Sequence, residues 1–428
     1  MNVRRRQVNR RRGPGWREYI LALSLTVTAG LGVGIAVGQS IDQDVPLSDD
    51  PTAIESPEPP RTVSLLPRLH APMNILLMAT DVHYEYRQGK RLMDLRGNTD
   101  TMLLARVEPT PINVRVLSIP RDTRVPIPGH GTFKINAANP YGGPTLSAQV
   151  VANLLNVPVD RYVLINTRAV VKLVDEMGGV DLFVPKNLHY DDNTGGLHIH
   201  LRKGNNHLSG QAAHDFLRFR HDELGDIGRV QRQQMFLQAL VQQYFTPTNL
   251  LKTPQLLATA KENLETNLSN EELIRLVTTI KDIDRDKVWM TMVPGVAGSR
   301  DGVSYWLSDP AGTERVVSTF LTGQMAPEAR LPNRYRVAIR DGIGNRQGVR
   351  ALKSLVTRAG YGRVDVDGLA AQLGLEKTQI IAQNADVAGA EVLAATLGVG
   401  QVVVAATGNI YSDFTVVIGR DWKGDSPH

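Results

Sequence analysis

At 428 residues the chain is too long for one ordinary domain, and with 42% hydrophobic and 21% charged residues it cannot be wholly disordered. It contains no cysteine, which excludes disulfide scaffolds, cysteine-ligated metal centres and thiol nucleophiles. The net charge of +5 does not describe a basic body: seven arginines (Arg4, Arg5, Arg6, Arg10, Arg11, Arg12 and Arg17) precede the first acidic residue, Glu18, leaving −2 for the rest, so a nucleic-acid partner is disfavoured.

After this basic tail (residues 1–18), residues 19–40 carry no charged side chain. About twenty helical residues at ~1.5 Å each span the ~30 Å core of a bilayer. The arginines hold the N-terminus in the cytoplasm, so the expectation is a single-pass anchor in the cytoplasmic membrane with everything that follows outside. A cleaved signal peptide competes, but Ala36-Val37-Gly38 is a poor cleavage site. Residues 41–71 are rich in proline and acid, a composition that buries too little to fold, and read as a spacer.

The apolar run Met73–Thr80 has strand character and ends at Asp81. Residues 101–107 and 112–119 are apolar runs joined by Glu108-Pro109-Thr110-Pro111, which predicts a hairpin. Antiparallel pairing about that turn sets Asp100 opposite Pro120 and Arg121, bringing a carboxylate and a guanidinium to one sheet edge. Helical periodicity follows over residues 145–155 and over Thr167–Met177, where Thr167 is a candidate cap and Gly178 a stop, and then a strand at Val180–Val184. This alternation to about residue 322 predicts an α/β unit with a mixed central sheet flanked by helices. His189, His198 and His200 include a pair at i, i+2, but no third ligand is indicated, and a polar strand or loop is the plainer reading.

The richest stretch is residues 207–245. Arg218 and Arg220 lie two apart, so an extended backbone would point both to one side. Gly225-Asp226-Ile227-Gly228 reads as a turn, with a helix opening near Arg229 that sets Arg229 and Gln233 on one face, Arg232 beside them. Three clustered arginines would repel one another unless a phosphate fits between them. A solvated helix with Asp222, Glu223 and Asp226 neutralising the arginines is the competing reading. After a linker at 323–332, residues 333–422 read as a second small α/β domain, with strands at 335–339, 380–383 and Phe414–Ile418 and helices at 347–359 and 386–397.

Met73–Asp81 (MNILLMATD), Asn98–Leu104 (NTDTMLL), Ser118–Arg124 (SIPRDTR), Lys134–Gly143 (KINAANPYGG), Val174–Val180 (VDEMGGV) and the stretch 208–234 resemble, in order and spacing, the catalytic domain of the LytR–CpsA–Psr family over residues 72–322. Residues 333–422 resemble the smaller LytR C-terminal domain. The resemblance implies a phosphotransferase that moves a glycan from a polyprenyl-pyrophosphate carrier onto peptidoglycan, with Mg²⁺. It also implies Asp81 and Asp100 as metal-associated carboxylates, Arg121, Arg218, Arg220 and Arg229 as pyrophosphate ligands, Gln233 and Lys134 as supports, and Asp100, Arg121 and Arg229 as the catalytic set. Where many relatives carry an arginine two residues before the second aspartate, this chain has Asn98, with Arg96 upstream. The alternatives are a carrier hydrolase, a glycan-binding module, and the transcription-attenuator role long attached to the family.

Overall fold

The computed structural model describes residues 67–80, 83–87, 90–193, 197–220, 225–244, 264–281, 283–284, 287–324, 328–370 and 372–424. The anchor expected at residues 19–40 lies outside them, as do Asp81, Asp222 and Glu223. Among the described residues no helix is long and apolar enough to cross a membrane.

In chain order come β1 (Met73–Thr80), β2 (Thr99–Pro109), β3 (Ile112–Ser118), α1 (Ala138–Leu155), β4 (Arg161–Asn166), α2 (Thr167–Met177), β5 (Leu188–Asp192), β6 (Leu197–Leu201), α3 (Gly210–Arg218), α4 (Gly225–Tyr244), β7 (Leu264–Thr266), α5 (Asn270–Ile280) and β8 (Val288–Met292). Six of the strands form the central sheet in the order β7-β4-β1-β2-β3-β8. It is mixed: β1 runs parallel to β4 and antiparallel to β2, and β3 runs antiparallel to β2 and parallel to β8.

Both faces are covered, which is why the strands read as nearly unbroken apolar runs. Alternation along β1 sends Leu76 and Met78 into one core with Val150, Val151 and Leu155 of α1. Ile75 packs on the other face with Leu276 of α5, and Leu77 with Leu237 of α4. The helix expected at 145–155 is the regular part of α1; Gly142 and Gly143 leave helical geometry just before it. α2 begins and ends as its pattern predicts, but its cap is Asn166, whose side chain accepts from the Ala169 amide at 2.7 Å, and not Thr167. Gly178 closes it in the left-handed region.

Gly210 opens α3 where that helix crosses α2. A Cβ there would lie 2.1 Å from the Val171 carbonyl oxygen and 2.8 Å from the Asp175 carboxylate, which accepts the Gly210 amide. Backbone cannot give way as a side-chain tip can. Gly210→Ala is expected to cost about 2–3 kcal/mol, seen as a melting point lower by several degrees. Melting with wild type would show that the two helices can separate freely.

The edge between β4 and α5 is tied by charge. Arg161 Nε donates to both carboxylate oxygens of Glu272, at 2.9 and 3.1 Å, and Glu272 also accepts the Ser269 amide in a capping box. Arg161 first, and the Ser269 amide second, hold this carboxyl down at about 2. A depressed carboxyl stabilises the fold above its ordinary range, near 4.3, and loses that contribution as pH falls through the folded value. Glu272→Gln is therefore expected to cost up to about 1 kcal/mol at neutral pH, the pair being partly exposed, and almost nothing near pH 2. Urea midpoints of the two proteins that fail to converge on acidification would refute it.

The second sheet belongs to the C-terminal region: β9 (Arg336–Asp341), β10 (Arg363–Leu369), β11 (Gln379–Ala382), β12 (Gln401–Val404) and β13 (Phe414–Ile418), in the order β10-β9-β13-β11-β12, with α6 (Arg346–Arg358) and α7 (Val387–Leu397). Tyr335, Leu352, Leu393 and Phe414 centre its core. The three strands expected there stand within two residues of their predicted ends. β10 and β12 were not expected, and both are edge strands: β10 carries Arg363, Asp365 and Asp367, and β12 is four residues long. An edge strand needs no apolar face on both sides and leaves a weak pattern.

Candidate active site

Hairpin register builds the site. β2 pairs with β3 through Leu103↔Ser118, so continuing the ladder sets Asp100 across from Arg121, as the turn predicts. On its other side β2 slips: Ala79 pairs with Thr101 and Thr80 with Thr99, leaving Asp100 as the extra residue of a bulge. A bulge re-aims its side chain out of the ladder. Asp100 Oδ1 accepts from Arg121 Nη1, and from Arg229 Nη1 at 3.4 Å.

Arg229 reaches Asp100 from α4. That helix opens at Gly225, so the Gly-Asp-Ile-Gly segment expected as a turn is its first turn, and Arg229 sits one turn inside rather than at the end. Glycine raises the cost of a helix without forbidding it, and tertiary packing decides here. Arg229 is 5% exposed. One turn on, Gln233 Nε2 donates to Thr101 Oγ1 at 2.7 Å and lies 3.4 Å from the Asp100 carbonyl. The next residue, Gln234, also buried, donates to Ser118 Oγ at 2.9 Å and to the Thr291 carbonyl at 3.0 Å. Its Oε1 accepts the Ala406 amide at 3.2 Å, while Gln231 Nε2 donates to the carbonyls of Ala406 and Gly408. The C-terminal region thus braces the helix that carries Arg229.

Arg218 is the last residue of α3, and Phe219 leaves the helix extended at φ −56°, ψ 131°. Phe219 is buried, and it lines the same cavity as its neighbours Arg218 and Arg220 and as Arg229. Both arginines reach that cavity, although Arg218 is still helical. Arg232, missed as a site residue, fixes this segment: its guanidinium donates to the Phe219 carbonyl and stacks 5.2 Å from the Phe219 ring centre. The signal lay in its spacing, three residues from Arg229, but nothing local shows that it turns to backbone.

Lys134 stands apart. Its ammonium pairs with Asp122 at 3.0 Å, and Asp122 lies 3.9 Å from Arg121 Nε, so Lys134 reaches the arginines through an intervening carboxylate and does not line the cavity. Arg96 and Asn98 are exposed and also outside the lining. Asp81 lies outside the described residues.

The cavity itself measures about 550 Å³. Its depth is apolar, walled by Leu77, Leu103, Val174, Leu217, Phe236 and Leu240, while Arg121, Arg218, Arg220 and Arg229 gather with Asp100 at its polar part. Four arginines against Asp100 and Asp192 give the lining a net charge of +2. Such a site suits a ligand with one anionic group of two phosphates and a long apolar tail.

The LytR_cpsA_psr family profile matches residues 43–319, and a LytR cell envelope-related transcriptional attenuator domain matches residues 334–422. The chain is 31% identical over 333 residues to polyisoprenyl-teichoic acid–peptidoglycan teichoic acid transferase TagU of Oceanobacillus iheyensis, covering 75% of this chain and 97% of that protein. It is 34% identical over 186 residues to the TagV transferase of Bacillus subtilis, covering 42% of this chain and 48% of that one. The crystal structure of B. subtilis TagV superposes with a TM-score of 0.50 at 27% identity, over 59% of this chain and 98% of that one. Protein gbs0355 of Streptococcus agalactiae shares the fold, with a TM-score of 0.52 at 23% identity over 59% and 88% of the two chains.

Proposed function

Because the chain belongs to the LytR–CpsA–Psr family, we propose that it is a transferase moving a phosphate-linked glycan from a polyprenyl-pyrophosphate carrier onto peptidoglycan. The observation that carries this reading is one cavity with an apolar interior and four arginines beside a carboxylate, which suits a lipid tail and its diphosphate in a single site.

The chemistry follows from the residues. A sugar hydroxyl of the acceptor attacks the phosphorus bearing the glycan, the bridging P–O bond breaks, and its electron pair leaves on the polyprenyl phosphate. Phosphoryl transfer needs alignment and charge neutralisation more than covalent help. Arg218 and Arg220, held by Phe219 and Arg232, would grip the diphosphate from one side. Arg121 and Arg229, now on Asp100, would turn to it from the other and free that carboxylate. Asp100 is the group we assign to the acceptor's proton.

Hard Mg²⁺ takes carboxylate and phosphate oxygens, with one or two protein ligands, so Asp100 fits, and Asp81 would join it. When bound, the ion would neutralise charge on the leaving phosphate. Placed after the anchor at residues 19–40, the site would work on the outer face of the cytoplasmic membrane, where both lipid carrier and peptidoglycan are met.

The test is direct. The full-length chain in detergent, given a labelled polyprenyl-pyrophosphate glycan and peptidoglycan fragments, is expected to yield glycan linked through phosphate to the fragments, with one polyprenyl monophosphate per link. Free glycan phosphate with no acceptor product would mean a hydrolase. Carrier bound but unchanged would mean a binding module.

A further inference from the structure

The hairpin of β5 and β6 carries a group of side chains that the cavity does not use. Its register pairs His189 with His200 and Asp191 with His198. Residues two apart share a strand face, so all four stand on the same side as a two-by-two square. The opposite face holds Leu188 and Ile199, both buried in the core with Phe216. The hairpin is therefore fixed from below, and its polar face is open to solvent.

On that face the ligand atoms converge. His200 Nε2 lies 3.0 Å from Asp191 Oδ1, and His189 Nε2 lies 3.5 Å from Asp191 Oδ2. One nitrogen of each histidine and one carboxylate oxygen all fall within 4.8 Å of one another. Metal–nitrogen and metal–oxygen bonds near 2.0–2.1 Å put two ligands of one ion about 2.9–3.4 Å apart, so these separations approach the edges of a coordination shell. His198 Nδ1 sits 2.8 Å from Asp191 Oδ1, the contact by which an outer group orients a ligating carboxylate.

We propose that His189, Asp191 and His200 form a binding site for a divalent transition metal, with His198 positioning Asp191. Imidazole ligands select zinc or nickel over Mg²⁺, so this site is chemically distinct from one built on Asp100. Three protein ligands leave room for water on the exposed side. The metal would staple two strands whose Tyr190 and Asp192 line the lipid-sized cavity, stiffening that wall.

The full-length chain, without a histidine tag, is stripped with a chelator and titrated with zinc chloride by calorimetry. Cobalt(II) absorption serves as a second readout. One zinc per chain is expected, undisturbed by excess Mg²⁺. His189→Ala and His200→Ala each weaken it at least about tenfold, and His198→Ala weakens it less. His207→Ala, which removes an exposed histidine paired with Asp181 elsewhere, leaves it unchanged. The four side chains being exposed, these variants keep the wild-type melting curve in the absence of metal. No zinc bound at about 100 µM, or wild-type affinity in both the His189 and the His200 variant, overturns the proposal.

Discussion

Replacing Arg229 with alanine is expected to lower glycan transfer about a thousandfold or more, the largest loss of any single arginine here. Arg229 is the most enclosed of the four, donates to Asp100, and projects from a helix held at three points along its length. Its charge is desolvated before the carrier arrives, so its attraction to the diphosphate is little screened by water. Arg229→Lys keeps the charge but loses the planar fork, and should recover only part of the activity. Arg220 is exposed at the rim, screened by water, and Arg220→Ala should cost roughly ten- to a hundredfold, mostly as weaker carrier binding. Rates measured at saturating carrier separate the two effects, and melting curves show whether Arg229→Ala still folds. If both variants transfer at the wild-type rate, neither arginine grips the carrier and the diphosphate binds elsewhere.

The pairing of Asp100 with Arg121 was legible because a proline-marked turn between two apolar runs fixes antiparallel register by counting. The bulge that frees Asp100 from the ladder was not, since it arises from how β1 and β2 meet and leaves no mark in either segment. A similar limit applies to α4. Glycines at its start signal a turn, and only the packing of Val230, Phe236 and Leu237 with bonds from Gln231, Gln233 and Gln234 shows why a helix forms there. Local chemistry also misplaced the cap of α2: the pattern points to Thr167, and the side chain that accepts the Ala169 amide is Asn166, one residue earlier.

Long-range polar contacts were the least legible. The family resemblance offers Lys134 as a support for the pyrophosphate, yet its ammonium pairs with Asp122. The bonds from Gln231 and Gln234 to residues 406–408 join segments more than 170 positions apart, and no spacing rule anticipates them. They give the C-terminal region a physical tie to the arginine helix. His189, Asp191, His198 and His200 illustrate the same point: the sequence offers an i, i+2 pair, and only cross-strand register supplies the carboxylate between the imidazoles.

Asp100→Asn removes one formal charge from the site while nearly preserving volume, and transfer is expected to fall about a hundred- to ten-thousandfold. The direction of the accompanying effects separates its two possible duties. As a metal ligand, Asp100 contributes through affinity, so excess Mg²⁺ should restore much of the rate. As the acceptor's base, it contributes through the proton, so added metal should restore little. Carrier binding should survive in both cases, or tighten slightly, because Arg121 and Arg229 lose the carboxylate that competes with the diphosphate for their N–H groups. That last expectation is the sharpest. A variant that neither binds nor turns over the carrier, while melting as wild type does, would mean that Asp100 holds the arginines in place for the lipid, and that the chemistry belongs to another carboxylate.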